Sequence, residues 1–167
     1  MGRLFLLIVA GLLSGCLGYT VGPVQPTYMK GIHRLAVPIF KNNTVEPDVD
    51  TLATTTLIKQ LQQDGTYEVT SLDRADAEVR GVIDLVQRAA VRSVVGNVLA
   101  ASEFSLQVKV RFEVVNPKTG AVLGARDVYG TSSFFVQNDI QTQEHQAIPL
   151  AVEDAAVQMA SYLSEGW

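Results

Sequence analysis

The sequence predicts an α+β domain, a two-layer sandwich with two helices packed on one face of a mostly antiparallel sheet of four to five strands. Three long stretches, residues 77–92, 104–114 and 121–136, alternate apolar and polar side chains. This alternation is typical of strands with one covered and one exposed face. Two other stretches, residues 48–64 and 143–164, repeat apolar residues every three to four positions, as amphipathic helices do. Because a helix stripe and a sheet face must each be buried against another layer, the helices are expected to cover the sheet.

Short elements are expected before the first helix and directly after it. Residues 34–40 form an apolar run suited to a buried strand, and Pro38 within it indicates an edge position or the end of the strand. Residues 41–47 are polar and predict a loop. A second short strand is expected over residues 67–71.

The first helix is expected to begin at a cap formed by Asp48 or Asp50 and to run to about Asp64. Gly65 is placed to end it, because glycine readily adopts the left-handed conformation of a helix C-terminus. One apolar stripe runs along this helix and consists of Val49, Ala53, Leu57 and Leu61.

The long strands have separable faces. In residues 77–92 strict alternation gives an apolar face of Val79, Gly81, Ile83, Leu85, Ala89 and Val91, and a polar face that carries Arg80, Asp84, Arg88 and Arg92. Residues 116–120 predict a hairpin turn. In the returning strand, Gly124 and Gly130 indicate sites of a bulge or bend. The closing helix contains Pro149, which either marks its first turn or kinks a longer helix.

The N-terminus indicates export and lipidation. Cys16, the only cysteine, follows Ser14-Gly15 and an apolar run of ten residues with a basic start. Leu13-Ser14-Gly15-Cys16 resembles a lipobox, in which the cysteine is acylated and the chain is cut before it; the alternative is an ordinary secretory signal. The expected organisation is a signal peptide over residues 1–15, a tether over residues 16–33 and one domain over residues 34–167.

No catalytic or metal-binding pattern is visible in the sequence. His33 and His145 lie far apart, neither has a ligand-type neighbour at short spacing, and no nucleophile elbow or phosphate-binding loop occurs. Asp48 and Asp50 are interpreted as helix caps. The net charge of −4 argues against nonspecific nucleic-acid binding. A non-enzyme without metal or cofactor is therefore expected.

One segment resembles a family signature. Residues 37–47 read Val-Pro-Ile-Phe-Lys-Asn-Asn-Thr-Val-Glu-Pro. They resemble the pattern V-P-x-F-x-N-x-T-x-E-P of the LptE family of lipopolysaccharide-assembly lipoproteins. Gly18-Tyr19 after the cysteine, the hairpin over residues 116–123 and the ending Gly166-Trp167 are similar too.

The resemblance implies a binding role at the outer membrane. LptE-like proteins plug the LptD β-barrel, help it assemble and assist insertion of lipopolysaccharide into the outer leaflet. The partners expected are therefore an LptD-like barrel, lipopolysaccharide and the membrane, reached through a lipid on Cys16. Leu17 after Cys16 fits sorting to the outer membrane. The alternative is a related periplasm-facing lipoprotein that regulates a peptidoglycan synthase or a secretion channel.

Two sets of residues are candidates for binding. Lipopolysaccharide carries phosphates and carboxylates, so its binding calls for local cations; the candidates are Arg80, Arg88, Arg92, Lys109, Arg111 and Lys118. The alternative interpretation of this set is a solvated sheet face. The apolar segment 94–101 is a candidate contact with the partner through Val95, Val98 and Leu99. The alternative is that this segment folds back on the domain.

Overall fold

The computed structural model describes residues 25–92, 102–136 and 140–166. Cys16 and the apolar segment 94–101 lie outside these residues. A 3₁₀ turn (Thr27–Met29) precedes six strands and two helices. In chain order these are β1 (Arg34–Ala36), β2 (Lys41–Asn42), α1 (Val49–Asp64), β3 (Glu68–Val69), β4 (Ala77–Arg92), β5 (Ser102–Val115), β6 (Val122–Val136) and α2 (Ile140–Glu165).

The strands form one mixed sheet in the order β3-β1-β4-β5-β6, with β2 also paired to β4. The three long strands are antiparallel, as expected, whereas β1, β2 and β3 pair in parallel. The described strands number six instead of four to five because β2 lies in the segment expected to be a loop. Pro38 lies after the end of β1, in agreement with its effect on strand pairing.

Both helices pack on the same side of the sheet and enclose the core. The predicted stripe of α1 is buried, and Leu57 and Leu61 have no exposed surface. Gly65 ends this helix with a φ of 75° and donates its backbone N–H to the carbonyl of Leu61. Asp48 occupies the position before the helix, but its side chain makes no capping hydrogen bond. The α+β architecture with helices on one sheet face is therefore confirmed.

A bulge at Asp84 changes the faces of β4. The register with β5 shifts between Ile83 and Leu85, and beyond it Val86 lies opposite Val108. A single extra residue moves every later side chain to the other face of the sheet. Arg88 and Ala90 therefore lie on the helix side, and Leu85 and Ala89 on the other. The predicted alternation is correct as far as Ile83 and wrong from Leu85 to Ala90, after which the register with β5 shifts again before Arg92.

The closing helix begins well before Pro149, at Ile140. It packs closely on β6 at Gly130, where an added Cβ would lie 1.9 Å from the carbonyl oxygen of Ala151. Gly130 is thus a site of close approach, and the β5–β6 register runs through it without a shift. The register shift between β5 and β6 lies next to Gly124, between the residue pairs that Val114 and Val115 form with β6.

Candidate functional site: the uncovered sheet face

The side of the long strands away from the helices is largely polar, and no helix in the described part of the chain covers it. On β5 the side chains facing the helices, from Leu106 to Val114, are at most 1% exposed, whereas Arg111 between them is exposed. We call this uncovered side the open face. It is formed by Arg80, Val82, Leu85 and Gln87 of β4, Gln107, Lys109, Arg111 and Glu113 of β5, and Ala125, Asp127, Tyr129 and Thr131 of β6.

Carboxylates neutralise most cations of the open face. Arg80 pairs with Glu78 at 2.8 Å, and Lys109 pairs with Asp127 at 2.7 Å. The hydrogen bond and the charge of Glu78 raise the pKa of Arg80. The hydrogen bond that the Lys109 ammonium donates to Asp127 likewise raises the pKa of Lys109. The face therefore presents alternating charges of both signs instead of one basic patch.

Arg111 pairs with the carboxylate of the bulge residue Asp84 at 3.1 Å. Asp84 also accepts a hydrogen bond from the side-chain amide of Asn43 at 3.3 Å. The bulge thus joins the open face to the segment that resembles the family signature.

A concavity of about 540 Å³ lies on the open face where the chain leaves the sheet between β1 and β2. Apolar groups from Ile39 and Val82 line it beside the cations Lys41, Arg80 and Arg111. Lys41 is exposed and makes no ion pair with any residue that the structure describes. Two carboxylates, Glu78 and Glu113, also line the concavity. Arg80 and Arg111 are already paired there, with Glu78 and Asp84. Lys41 beside the apolar wall is therefore the group at this concavity that suits an amphiphilic ligand with a negative charge.

The residues of the signature segment 37–47 build the loop beside this concavity. Asn42 donates its side-chain amide to the carbonyl of Glu46 at 2.7 Å, and its oxygen accepts from the backbone N–H of Thr44 at 2.8 Å. Asn43 donates its backbone N–H to the carbonyl of Ile83 at 3.0 Å. Asparagine and threonine side chains commonly hold tight turns in this way. The polar positions of the signature therefore shape the loop and hold it against β4.

Phe40, at the centre of the signature, is 3% exposed and anchors the loop to the core. Its backbone N–H donates to the hydroxyl of Thr54 in α1 at 3.0 Å. Its ring occupies the space above Gly81, where an added Cβ would lie 2.4 Å from it. These contacts fix the chain beside the concavity.

The structure brings some of the predicted cations together and separates others. Arg80, Lys109 and Arg111 share the open face, and Lys118 shares a second concavity with Arg80 at the hairpin over residues 116–121. The other two predicted cations lie farther along β4.

Arg88 lies on the helix side and pairs with Glu144 of α2 at 2.5 Å, so the prediction that it shares a face with Arg80 is wrong. Arg92 ends β4 opposite Glu103. Val95, Val98 and Leu99 lie outside the described residues. The sequence interpretation missed Lys41 because it treated residues 41–47 as a loop without a site.

Across the described residues, no group of three histidine, cysteine or acidic side chains is placed to hold a metal ion. Neither helix in this part of the chain combines the length and the apolar character needed to cross a membrane.

Comparisons with known proteins agree on a family and on the fold. A family model described as "LptE: Lipopolysaccharide-assembly" matches residues 32–163. No curated protein matches the chain significantly.

Solved structures of low identity share the fold. The PelC dodecamer from Paraburkholderia phytofirmans is 16% identical, with a TM-score of 0.53 over 84% of this chain and 93% of that chain. A minor lipoprotein from Acinetobacter baumannii is 15% identical, with a TM-score of 0.55 over 78% and 91%. A DUF330 protein from Xanthomonas campestris is 9% identical, with a TM-score of 0.56 over 86% and 88%. At these identities the likeness concerns the fold alone.

Proposed function

This chain belongs to the LptE family of lipopolysaccharide-assembly lipoproteins, and on that premise we propose that it plugs an LptD-type β-barrel in the outer membrane. In this proposal Cys16 carries the lipid anchor on the periplasmic side. The bound protein helps the barrel to assemble and assists the insertion of lipopolysaccharide into the outer leaflet. The role is one of binding and shape, in keeping with the non-enzymatic character of the family.

The open face is the observation that carries this proposal. A sheet normally buries one face under helices and leaves the other to solvent or to a partner. Here the uncovered face is polar, with Arg80, Lys109 and Arg111 each paired to a carboxylate. The lumen of a transmembrane β-barrel is also polar. A surface of alternating charges can form hydrogen bonds with such a wall without burying an unpaired charge.

The two ends of the domain give the plug a direction. The chain enters the described structure at Gln25, at the end of the sheet where Tyr28 lies against Gly124, close to the start of β6. At the opposite end of the sheet, β4 ends at Arg92 and β5 begins at Ser102. With 14 residues, β5 is about 45 Å long at ~3.3 Å per residue. The apolar band of a barrel is ~25 Å tall, so a domain anchored on the periplasmic side is long enough to cross it.

The segment 94–101 connects the strands at the end away from Gln25. In the proposed complex, its apolar residues Val95, Val98 and Leu99 contact the partner deep in the barrel. This assignment follows from their place in the chain between β4 and β5.

For lipopolysaccharide we propose the concavity beside the signature segment as the contact. Lys41 is the cation there that no described carboxylate neutralises, and Ile39 beside it is 68% exposed. A phosphate group that approaches Arg80 or Arg111 competes with Glu78 or Asp84, whereas one that approaches Lys41 has no such competitor. Of the cations predicted from the sequence, Arg80, Arg111, Lys109 and Lys118 remain candidates on this side of the sheet. Arg88 and Arg92 remain candidates farther along β4.

The test is a detergent pull-down of the lipidated, tagged protein from native outer membrane, with mass spectrometry of the proteins that stay bound. We expect a large β-barrel protein in stoichiometric amount. Recovery of a peptidoglycan synthase or a secretion pore instead would contradict the plug and support the alternative role of a regulator.

Matched variants make this test specific to the open face. Arg111→Glu reverses a charge on the open face, and Lys59→Glu reverses an exposed charge on the outer surface of α1. We expect Arg111→Glu to lower recovery of the barrel and Lys59→Glu to leave it unchanged. Equal recovery with both variants would rule out the open face as the contact.

A further inference from the structure

A small apolar surface lies at the end of the domain where the chain from Cys16 arrives. Leu72, in the turn before β4, is 50% exposed, and Val122, at the start of β6, is 57% exposed. Leu72 shares a concavity with Pro117 and Lys118 of the hairpin. We call this surface, formed by residues 72–74, 117–118 and 122, the hairpin end.

The attachment point of the chain belongs to the same end. Pro26 lies next to Gly166, at the C-terminus of α2. Two residues later, the hydroxyl of Tyr28 donates to the carbonyl of Tyr162 at 2.6 Å, and its ring lies against Gly124. Gly124 is two residues from Val122, so the hairpin end and the attachment point lie at the same end of the sheet.

The chain between the anchor and the domain is short. Nine residue steps separate Cys16 from Gln25, which limits the reach to about 30 Å even for a fully extended chain. A tether of this length holds the hairpin end at a high effective concentration near the lipid, so that a weak contact becomes populated.

The charges of the hairpin end suit a phospholipid surface. The turn over residues 70–75 and the hairpin over residues 116–122 together carry Arg74 and Lys118 against Asp73. Both cations are exposed. At a membrane surface, exposed aliphatic side chains gain from burial among the headgroups, and nearby lysine and arginine are attracted to anionic lipids.

We propose that the hairpin end rests on the lipid headgroups of the leaflet that holds the anchor, with Leu72 and Val122 inserted between them. This inference rests on the proposed anchor at Cys16 but not on the barrel partner. It gives the domain a fixed orientation on the membrane before any partner binds.

Site-specific fluorescence tests the contact directly. Acylation of Cys16 leaves no other thiol, so Leu72→Cys or Val122→Cys introduces a single site for an environment-sensitive dye. Val45→Cys and Val157→Cys are matched controls: Val45 is fully exposed in the signature segment, and Val157 lies on α2, 45% exposed. The mature lipidated protein is placed on vesicles of phosphatidylethanolamine and phosphatidylglycerol that carry a quencher at headgroup depth.

We expect a blue shift and quenching for the dyes at Leu72 and Val122, and neither effect at the two control sites. Lys118→Glu should weaken the quenching at Val122. If the protein floats with the vesicles and no dye responds, or if all four respond alike, the contact is refuted while the plug proposal stands. A response only after addition of the barrel protein also refutes it, and assigns the hairpin end to that protein. If the protein does not float, the anchor itself is wrong, and both proposals fail.

Discussion

Replacing Gly130 with alanine should separate the closing helix from the sheet. An added Cβ would lie 1.9 Å from the carbonyl oxygen of Ala151 and 2.6 Å from the backbone nitrogen of Ala155. An ordinary contact begins near 3.4 Å, so α2 must retreat by about 1.5 Å. Both obstructing atoms are backbone, and neither can move aside by a side-chain rotation.

The loss of stability caused by this movement of α2 can be estimated. Inserting one methyl group into a well-packed site costs about 1–3 kcal/mol. Two hydrogen bonds also join the helix to β6 beside Gly130. Thr131 donates its N–H to Asp154 at 2.8 Å, and Gln158 donates to the carbonyl of Tyr129 at 2.9 Å. Each is worth about 1 kcal/mol, so the total loss is roughly 3–5 kcal/mol. For a domain of this size that lowers the Tm by on the order of 10 °C.

Thermal unfolding followed by circular dichroism measures this loss, and Gly124→Ala is the matched control. Gly124 lies on the same strand and the same face, but its added Cβ would meet the ring of Tyr28 at 3.0 Å, so a shift of only about 0.4 Å is needed. We expect the control to change the Tm by less than about 3 °C. A Gly130→Ala protein as stable as Gly124→Ala would refute the close approach of α2 to β6.

Three further outcomes are expected. Arg34 lowers the pKa of Asp76 to about 2, so stability should fall as pH drops from about 4 towards 2. The Asp76→Asn protein should lose less stability over this range. Urea unfolding at several pH values measures the difference. Burial raises the pKa of Tyr67 to about 12, so stability should fall as pH rises from 10 to 12. Tyr67→Phe should remove that alkaline loss of stability, and it should cost about 1 kcal/mol at neutral pH. Thr54→Val leaves a buried backbone N–H of the signature segment unpaired and should cost about 1–3 kcal/mol in denaturant unfolding, whereas Thr55→Val, on the exposed side of α1, should cost less than half as much.

The layers of the fold could be predicted from the sequence because their signals are long. In β5 the alternation from Phe104 to Val114 continues without interruption, and every predicted apolar position from Leu106 onward is buried. The apolar stripe of α1 and the end of this helix at Gly65 could be predicted equally well. The parallel pairing of β1, β2 and β3 was not, because strands of two or three residues carry no periodicity. Their partners are fixed by contacts distant in the chain.

The candidate site was less predictable because one residue decides it. Residues 82–86 read Val-Ile-Asp-Leu-Val, a pattern that fits either phase of the alternation on each side of Asp84. A bulge here leaves an apolar residue on the helix side in either case, because Leu85 and Val86 can exchange faces. Strict alternation along the strand therefore predicted that Arg88 shares a face with Arg80, whereas in the fold Arg88 lies against α2.

This bulge divides the cations of β4 by task. Before it, Arg80 faces outward beside the concavity, where changing its charge should alter binding more than folding. After it, Arg88 reaches Glu144 and ties the start of α2 to the long strands. Asp84 itself turns towards Arg111 and Asn43, so the same residue that breaks the alternation also holds the signature loop at the open face. The signature residues and the bulge therefore act together: they set which charges the open face presents and which charges hold the domain together.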